Sequence, residues 1–191
     1  MMERRKFVAT AAMGVAVLML GACTTTPDTP VDKAAKRKEI DGGIEAALDK
    51  LYASAPSSRE LVRRARGVLV FPNVVAAGFG VGGEFGDGAL KSGGRTLGYY
   101  RTVSGSFGLQ IGAQSKAVII LFMTQDALDK FVASKGWTAG VDASVAVAKI
   151  GANGAIDTNT IQQPVIGFVI TNAGLMANLT IEGTKISRLD I

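Results

Sequence analysis

The sequence predicts an α+β fold in which N-terminal helices pack on a strongly curled or closed, mostly antiparallel, glycine-rich β-sheet. Helical periodicity dominates residues 32–66, and short alternating or wholly apolar runs separated by turn residues follow from residue 67 onwards. Glycine is the third observation, because six glycines lie between residues 78 and 88. This order of elements is typical of an α+β domain.

Residues 32–55 form the first predicted helix, which ends at Pro56. Its apolar side chains recur at three- and four-residue steps and give one buried stripe. The members of the stripe are Ile40, Ile44, Ala47, Leu48 and Leu51. Gly42 and Gly43 lie inside this pattern, so we expect a break or kink there.

A second, shorter helix is predicted between Ser57 and Gly67. Ser57 followed three residues later by Glu60 has the pattern of a capping box, and Gly67 is a plausible stop. The spacing predicts that Arg59, Arg63 and Arg66 share the polar face, with Arg64 nearby.

The remainder of the chain predicts strands and one further helix. Pro72 is expected to end the first strand. Residues 116–123 predict a central strand, because residues 117–123 are apolar throughout. Residues 124–135 predict a helix capped by Thr124. The other predicted strands are residues 68–71, 78–85, 95–103, 106–114, 144–150, 165–171, 174–181 and 184–188. Glycine weakens a strand, so its repetition indicates closely packed sheet layers, which we favour, or a ligand groove.

The N-terminus has the organisation of a secretory signal. A charged, net basic segment at residues 3–6 precedes residues 7–20, which carry no charge and are too short to span a bilayer. The following Leu-Gly-Ala-Cys, ending at Cys23, resembles the lipobox of bacterial lipoproteins. The resemblance implies that residues 1–22 are a signal peptide and that Cys23 is lipidated. Residues 23–31 then form a linker, and residues 32–191 form one domain.

The same resemblance predicts the location of the mature protein. Thr24, rather than Asp, follows Cys23, and this favours the outer membrane, with the domain facing the periplasm. An ordinary signal with a chance cysteine is the alternative.

The composition excludes several classes of function. The chain has no histidine, which removes the usual general base and the commonest zinc ligand. Loss of Arg4, Arg5, Lys6 and Glu3 with the signal lowers the net charge from +5 to +3, which argues against nucleic-acid binding. Cys23 is the only cysteine, so no disulfide is expected. The sequence therefore favours a non-enzymatic protein without cofactor or metal. A hydrolase that uses carboxylates or a Ser-Lys pair is the alternative.

Three motifs have structural explanations that we prefer to functional ones. Residues 78–83 satisfy G-x-G-x-x-G but continue into a strand, not a helix, which disfavours a nucleotide site. Glu84, Asp87 and Asp142 could act as paired carboxylates, but turn and surface roles are favoured. Trp137 is expected either at an interface or in the core.

Two basic segments suggest contact with anionic lipid. Arg59, Arg63, Arg64 and Arg66 form one segment; Lys33, Lys36, Arg37 and Lys38 form the other, close to Cys23. Basic residues beside a membrane tether attract anionic headgroups, and arginine suits bidentate phosphate binding. A solvated helix face is the alternative.

The chain resembles the SYLF domain family, the lipid-binding domain shared with the yeast actin-binding protein family. The resemblance begins at residues 65–72 (ARGVLVFP) and continues through glycine-rich residues 78–88, residues 105–114 and apolar residues 118–121. Phe131, residues 146–148 and residues 174–177 follow in the family's order.

This resemblance implies a phospholipid-binding module that uses Arg59, Arg63, Arg64 and Arg66. Eukaryotic members bind phosphoinositides through a basic segment, and their actin binding is not carried over to a bacterial envelope. We therefore expect an outer-membrane lipoprotein that binds anionic phospholipid. A protein that binds another envelope protein or the cell wall through its β surface is the alternative.

Overall fold

The described part of the chain is an α+β fold with four helices and an eight-stranded sheet, as the sequence predicts. The computed structural model describes residues 29–108, 114–148, 155–172, 174–176 and 181–191, without the side chains of 77–81, 106–108 and 114. The helices are α1 (Pro30–Ser54), α2 (Ser58–Arg64), α3 (Gln125–Ala133) and α4 (Thr158–Ile161). The strands are β1 (Gly67–Ser92), β2 (Arg95–Gly108), β3 (Gln114–Phe122), β4 (Trp137–Thr138), β5 (Ala146–Val147), β6 (Val165–Thr171), β7 (Gly174–Leu175) and β8 (Lys185–Leu189).

Helix α1 begins two residues before the predicted start and runs without interruption to Ser54. The Thr29 hydroxyl accepts a hydrogen bond from the Asp32 N–H, and a proline in the first turn suits the helix start. The predicted break at the glycine pair is wrong. A Cβ on Gly43 would lie 2.9 Å from the Pro72 ring, so the missing side chain lets the helix approach β1.

The sheet is antiparallel except for the short β5–β6 pair. Its order is β4-β8-β2-β1-β3-β6-β5, with β7 paired to β6. The predicted helix after β3 is confirmed, with Thr124 as its cap. Within the described residues, the predicted strand over residues 144–150 is reduced to Ala146–Val147, and the one over residues 174–181 to Gly174–Leu175. Residues 149–150 and 177–180 of these predicted strands lie outside the described part of the chain.

Strand β1 is one strand of 26 residues, although the sequence predicted two strands separated at Pro72. Proline lacks the N–H that a ladder requires. The register of the β1–β3 pair shifts between Phe71 and Val74, so the proline lies where regular pairing is interrupted. The G-x-G-x-x-G letters at residues 78–83 lie within this strand, as expected, and do not open a helix.

The two ends of β1 pass against each other. Residues 67–76 pair with β3, residues 80–92 pair with β2, and the strand bends back between them. A Cβ on Gly88 would lie 2.1 Å from the Val70 carbonyl oxygen, and one on Gly86 would lie 2.8 Å from that of Asn73. The preferred explanation of the glycines, closely packed layers, is confirmed at these two positions.

The curled sheet separates two hydrophobic clusters. The inner cluster contains the aromatic rings of Phe122, Phe131 and Trp137, so the structure places Trp137 in the core rather than at an interface. The outer cluster joins the sheet to α1 and α2. The members of both clusters lie between Ile40 and Ile191. Strand β3 is buried on both faces, which confirms the predicted central strand.

Replacement of Gly88 by Ala is expected to destabilise the fold, because the new methyl group would overlap the Val70 carbonyl. Overpacking typically costs about 1–3 kcal/mol. Gly105→Ala is the matched control, since nothing lies within 4 Å of a Cβ there. Urea unfolding monitored through Trp137 would measure both variants, and equal stability of the two would contradict the close approach.

Candidate phospholipid-binding surface

Helix α2 presents its polar side to solvent while Leu61 anchors it in the outer cluster. The predicted capping box is wrong. The Ser57 backbone is helical rather than extended, so its hydroxyl makes no capping bond. Glu60 instead accepts two hydrogen bonds from the Arg63 guanidinium, at 2.8 and 2.9 Å. The pairing fixes Arg63 along the helix and lowers the pKa of the Glu60 carboxyl.

We use the term arginine surface for Arg59, Arg63, Arg64 and Arg66, all of which are exposed. The predicted common helix face holds only in part, because α2 ends at Arg64. Arg66 lies between the helix and β1. Its N–H donates to the Phe122 carbonyl at 2.8 Å, and its own carbonyl accepts from the Ser92 hydroxyl at 2.6 Å. The backbone of Arg66 is therefore fixed while its side chain is exposed.

The four arginines differ in their existing partners. The guanidinium of Arg59 lies 4.3 Å from the centre of the Tyr52 ring, a cation–π contact, and Arg63 is paired with Glu60. Within the described residues, no hydrogen bond or ion pair is found for the side chains of Arg64 and Arg66, although the charge of Arg64 contributes to the lowered pKa of Glu60. These two guanidinium groups are therefore the least engaged of the four. Sequence reasoning missed Tyr52, because nothing in the linear pattern connects it to Arg59.

A hollow of about 300 Å³ lies beside the arginine surface, between α1, α2 and the β1–β2 turn. Its apolar lining includes Ile44, Leu48 and Val62, and Arg63 and Lys91 contribute charged groups. Lys91 is paired with Asp41 at 3.2 Å. The surface therefore combines exposed cations with a partly apolar recess, an amphiphilic arrangement.

The three candidate carboxylates lie in ion pairs or turns. Glu84, 15% exposed, lies 2.7 Å from the Lys116 ammonium. Asp87 lies within β1 rather than in the predicted turn, and it accepts two hydrogen bonds from Arg101. Asp142 accepts the Thr138 N–H in a turn. In the part of the chain that the structure describes, no three acidic, Cys or His side chains are grouped to hold a metal.

The second basic segment lies at the opposite end of α1 from the arginine surface. Lys36 lies 3.5 Å from Asp87 and 3.2 Å from Glu39, while Arg37 and Lys38 are exposed. The rise of an α-helix places Lys36 about 24 Å along the axis from Tyr52. The two basic segments predicted from the sequence are therefore separate surfaces.

The predicted lipidation site, Cys23, lies outside the described residues. Of the helices that the structure describes, none is both long and apolar enough to cross a membrane.

Comparison with known families matches residues 103–190 to the family described as Ysc84, Las17-binding protein actin regulator. This match agrees, over residues 103–190, with the SYLF resemblance predicted from the sequence. The matched segment runs from the middle of β2 through β8, so it includes Phe122, Phe131 and Trp137 of the inner cluster. The SYLF family is associated with lipid and actin. The match does not include the arginine surface, and no curated protein matches the chain.

All three tyrosines are expected to ionise above their usual pH. Burial, the largest cause at each position, raises the pKa of Tyr52, Tyr99 and Tyr100 above 10.0, and Asp41 adds to the effect at Tyr99. Below pH 10 both the folded and the unfolded chain hold these protons, so the stability is fully present. As the pH rises further, the unfolded chain loses protons first and stability falls.

A near-ultraviolet phenolate titration combined with urea unfolding at several alkaline pH values measures this effect. Phenolate absorbance that appears in the folded protein at the same pH as in the unfolded chain would contradict it. Tyr99→Phe should remove part of the alkaline loss.

Proposed function

We propose that this protein is a lipid-anchored outer-membrane lipoprotein, facing the periplasm, whose domain binds anionic phospholipid headgroups and has no enzymatic activity. The exposed Arg64 and Arg66 side chains, for which the described residues show no hydrogen bond or ion pair, carry the proposal. Arginine forms bidentate hydrogen bonds with phosphate oxygens. Two exposed guanidinium groups on a fixed backbone provide such a site without rearrangement of the fold.

The family relationship supports a lipid-binding role for the domain, since the SYLF family is lipid-associated. The arginine surface adds a location for the contact, on elements that precede the matched segment. Actin regulation, which the family description names, is not part of the proposal, because a periplasmic domain does not meet actin.

The tether is the second part of the proposal. The charged segment, the uncharged residues 7–20 and Cys23 follow in the order of a lipoprotein signal. One acyl chain gives only marginal membrane binding, whereas two or more hold a protein firmly. Diacylglycerol at Cys23 would therefore keep the domain at the membrane independently of the arginine surface.

Replacement of Arg64 and Arg66 by Ala is expected to weaken binding of the chain lacking residues 1–23 to vesicles that contain phosphatidylglycerol. Each charge near an anionic surface contributes about 1 kcal/mol, so loss of two predicts an approximately 30-fold lower partition coefficient. Flotation measures it. The matched control, Lys130→Ala with Lys135→Ala, removes two charges from the region of α3.

Two results would contradict the arginine surface: equal recovery with phosphatidylglycerol and phosphatidylcholine vesicles, or equal loss in the control variant. Further replacement of Arg59 and Arg63 should add less per residue, because each already has a partner within the chain.

The Cys23→Ser variant is expected to leave the membrane fraction for the soluble periplasmic fraction or to retain its signal, since the attachment sulfur is gone. Cell fractionation and the intact mass of the purified protein measure both outcomes. An unmodified Cys23 in a chain that begins before residue 23 would contradict the tether. A Thr24→Asp variant provides the sorting control, with inner-membrane retention expected.

A further inference from the structure

Several large apolar side chains are exposed at the end of the domain where α1 begins. Phe85 is 54% exposed, and Val103, its direct partner across the β1–β2 pair, is 49% exposed. Lys185 lies opposite Val103 on β8 and is also exposed. Directly paired residues point to the same face of a sheet, so these three side chains form one row.

Helix α1 covers the next two rows of this face, those of Asp87 and Ala89, but leaves Phe85 more than half exposed. Tyr99 donates a hydrogen bond to Asp41, and Lys36 lies over Asp87 in the row next to Phe85. The helix therefore runs towards the Phe85 row as its residue numbers fall. Its first turn, with the exposed Val31, continues about 8 Å beyond Lys36.

We use the term end patch for Val31, Lys33, Phe85, Val103 and Lys185. The row beyond it pairs Gly83 with Gly105, and nothing lies within 4 Å of a Cβ on Gly105. The exposed apolar side chains of Phe85 and Val103 are therefore bordered on one side by a row that has no side chains, and lysines lie beside them. Apolar groups flanked by cations fit the interface of an anionic bilayer, where the former insert and the latter meet headgroups.

We propose that the end patch rests on the bilayer to which the chain is tethered. The inference depends on the proposed tether at Cys23. The described chain starts at Thr29, two residues before Val31 of the end patch, and five residues lie between Thr29 and Cys23, which makes six Cα–Cα steps. A chain of that length extends at most about 21 Å, so the anchored bilayer is the surface nearest to the end patch.

Site-specific fluorescence of the full lipidated chain tests this contact. Cys23 is the only cysteine, and its sulfur is blocked when lipidated, so an introduced cysteine is the only thiol that a dye labels. Phe85→Cys and Val103→Cys carry the dye in the end patch. Val132→Cys on α3 is the exposed apolar control, and Leu97→Cys reports on the opposite end of β2, about 20 Å from Val103.

In phosphatidylglycerol–phosphatidylethanolamine vesicles that contain a headgroup-level quencher, we expect at least threefold stronger quenching at residues 85 and 103 than at residue 132. Equal quenching at these three positions overturns the proposal. Quenching at residue 97 alone also overturns it, while leaving the arginine surface as the bilayer contact. A blue-shifted dye at residue 85 without lipid quenching indicates a protein partner or a second copy of the chain, and overturns the proposal as well.

A second variant separates the apolar contact from the tether. With the dye at Val31→Cys, the added changes Phe85→Ser and Val103→Ser should lower quenching about threefold or more, because the apolar area that enters the interface is lost. Val132→Ser, which leaves the end patch intact, should have no effect. Dye labelling of the unmutated full chain would show a free Cys23, so failure of the tether is recognised separately from failure of the end patch.

Discussion

The close approach of the two halves of β1 is the constraint on which the rest of the structure depends. Gly86 and Gly88 leave no side chain where the backbone of Val70 and Asn73 passes, so the strand bends back against itself. Because one strand pairs with β3 at one end and β2 at the other, this bend curls the whole sheet. The concave side then encloses the aromatic cluster, and the convex side accepts α1, where Gly43 meets Pro72.

The sequence predicted the fold class, the central strand and the helix after β3, because each has a local signal in periodicity or capping. It predicted two strands where there is one, since a proline normally ends a strand. Pro72 is tolerated because it coincides with a register shift, which depends on the partner strand and is invisible in the linear pattern. The unbroken helix α1 has a similar reason. Gly43 leaves room for Pro72, which lies 29 residues further along the chain and is not visible in the local pattern.

The candidate site was predicted less completely than the fold. The four arginines are exposed, as expected, but their number does not measure the charge available to a ligand. Arg63 is already paired with Glu60, an ion pair that the three-residue spacing could have indicated. Arg59 is in a cation–π contact with Tyr52, which depends on the turn between two helices. Of the four arginines, only Arg64 and Arg66 therefore have no hydrogen bond, ion pair or aromatic contact through their side chains within the described residues. The rigid backbone at Arg66, bonded to Phe122 and Ser92, makes this smaller site better defined.

The arginine surface and the end patch impose opposite demands on the orientation of the domain. They lie at the two ends of α1, where Val31 and Tyr52 are about 31 Å apart along the helix axis. If the end patch rests on the anchored bilayer and α1 stands away from it, the arginine surface is directed away from that bilayer. If α1 lies flat, both surfaces reach the same headgroups. The exposed apolar pair of Phe85 and Val103, rather than the proposed tether, therefore decides between contact with one membrane and contact with two.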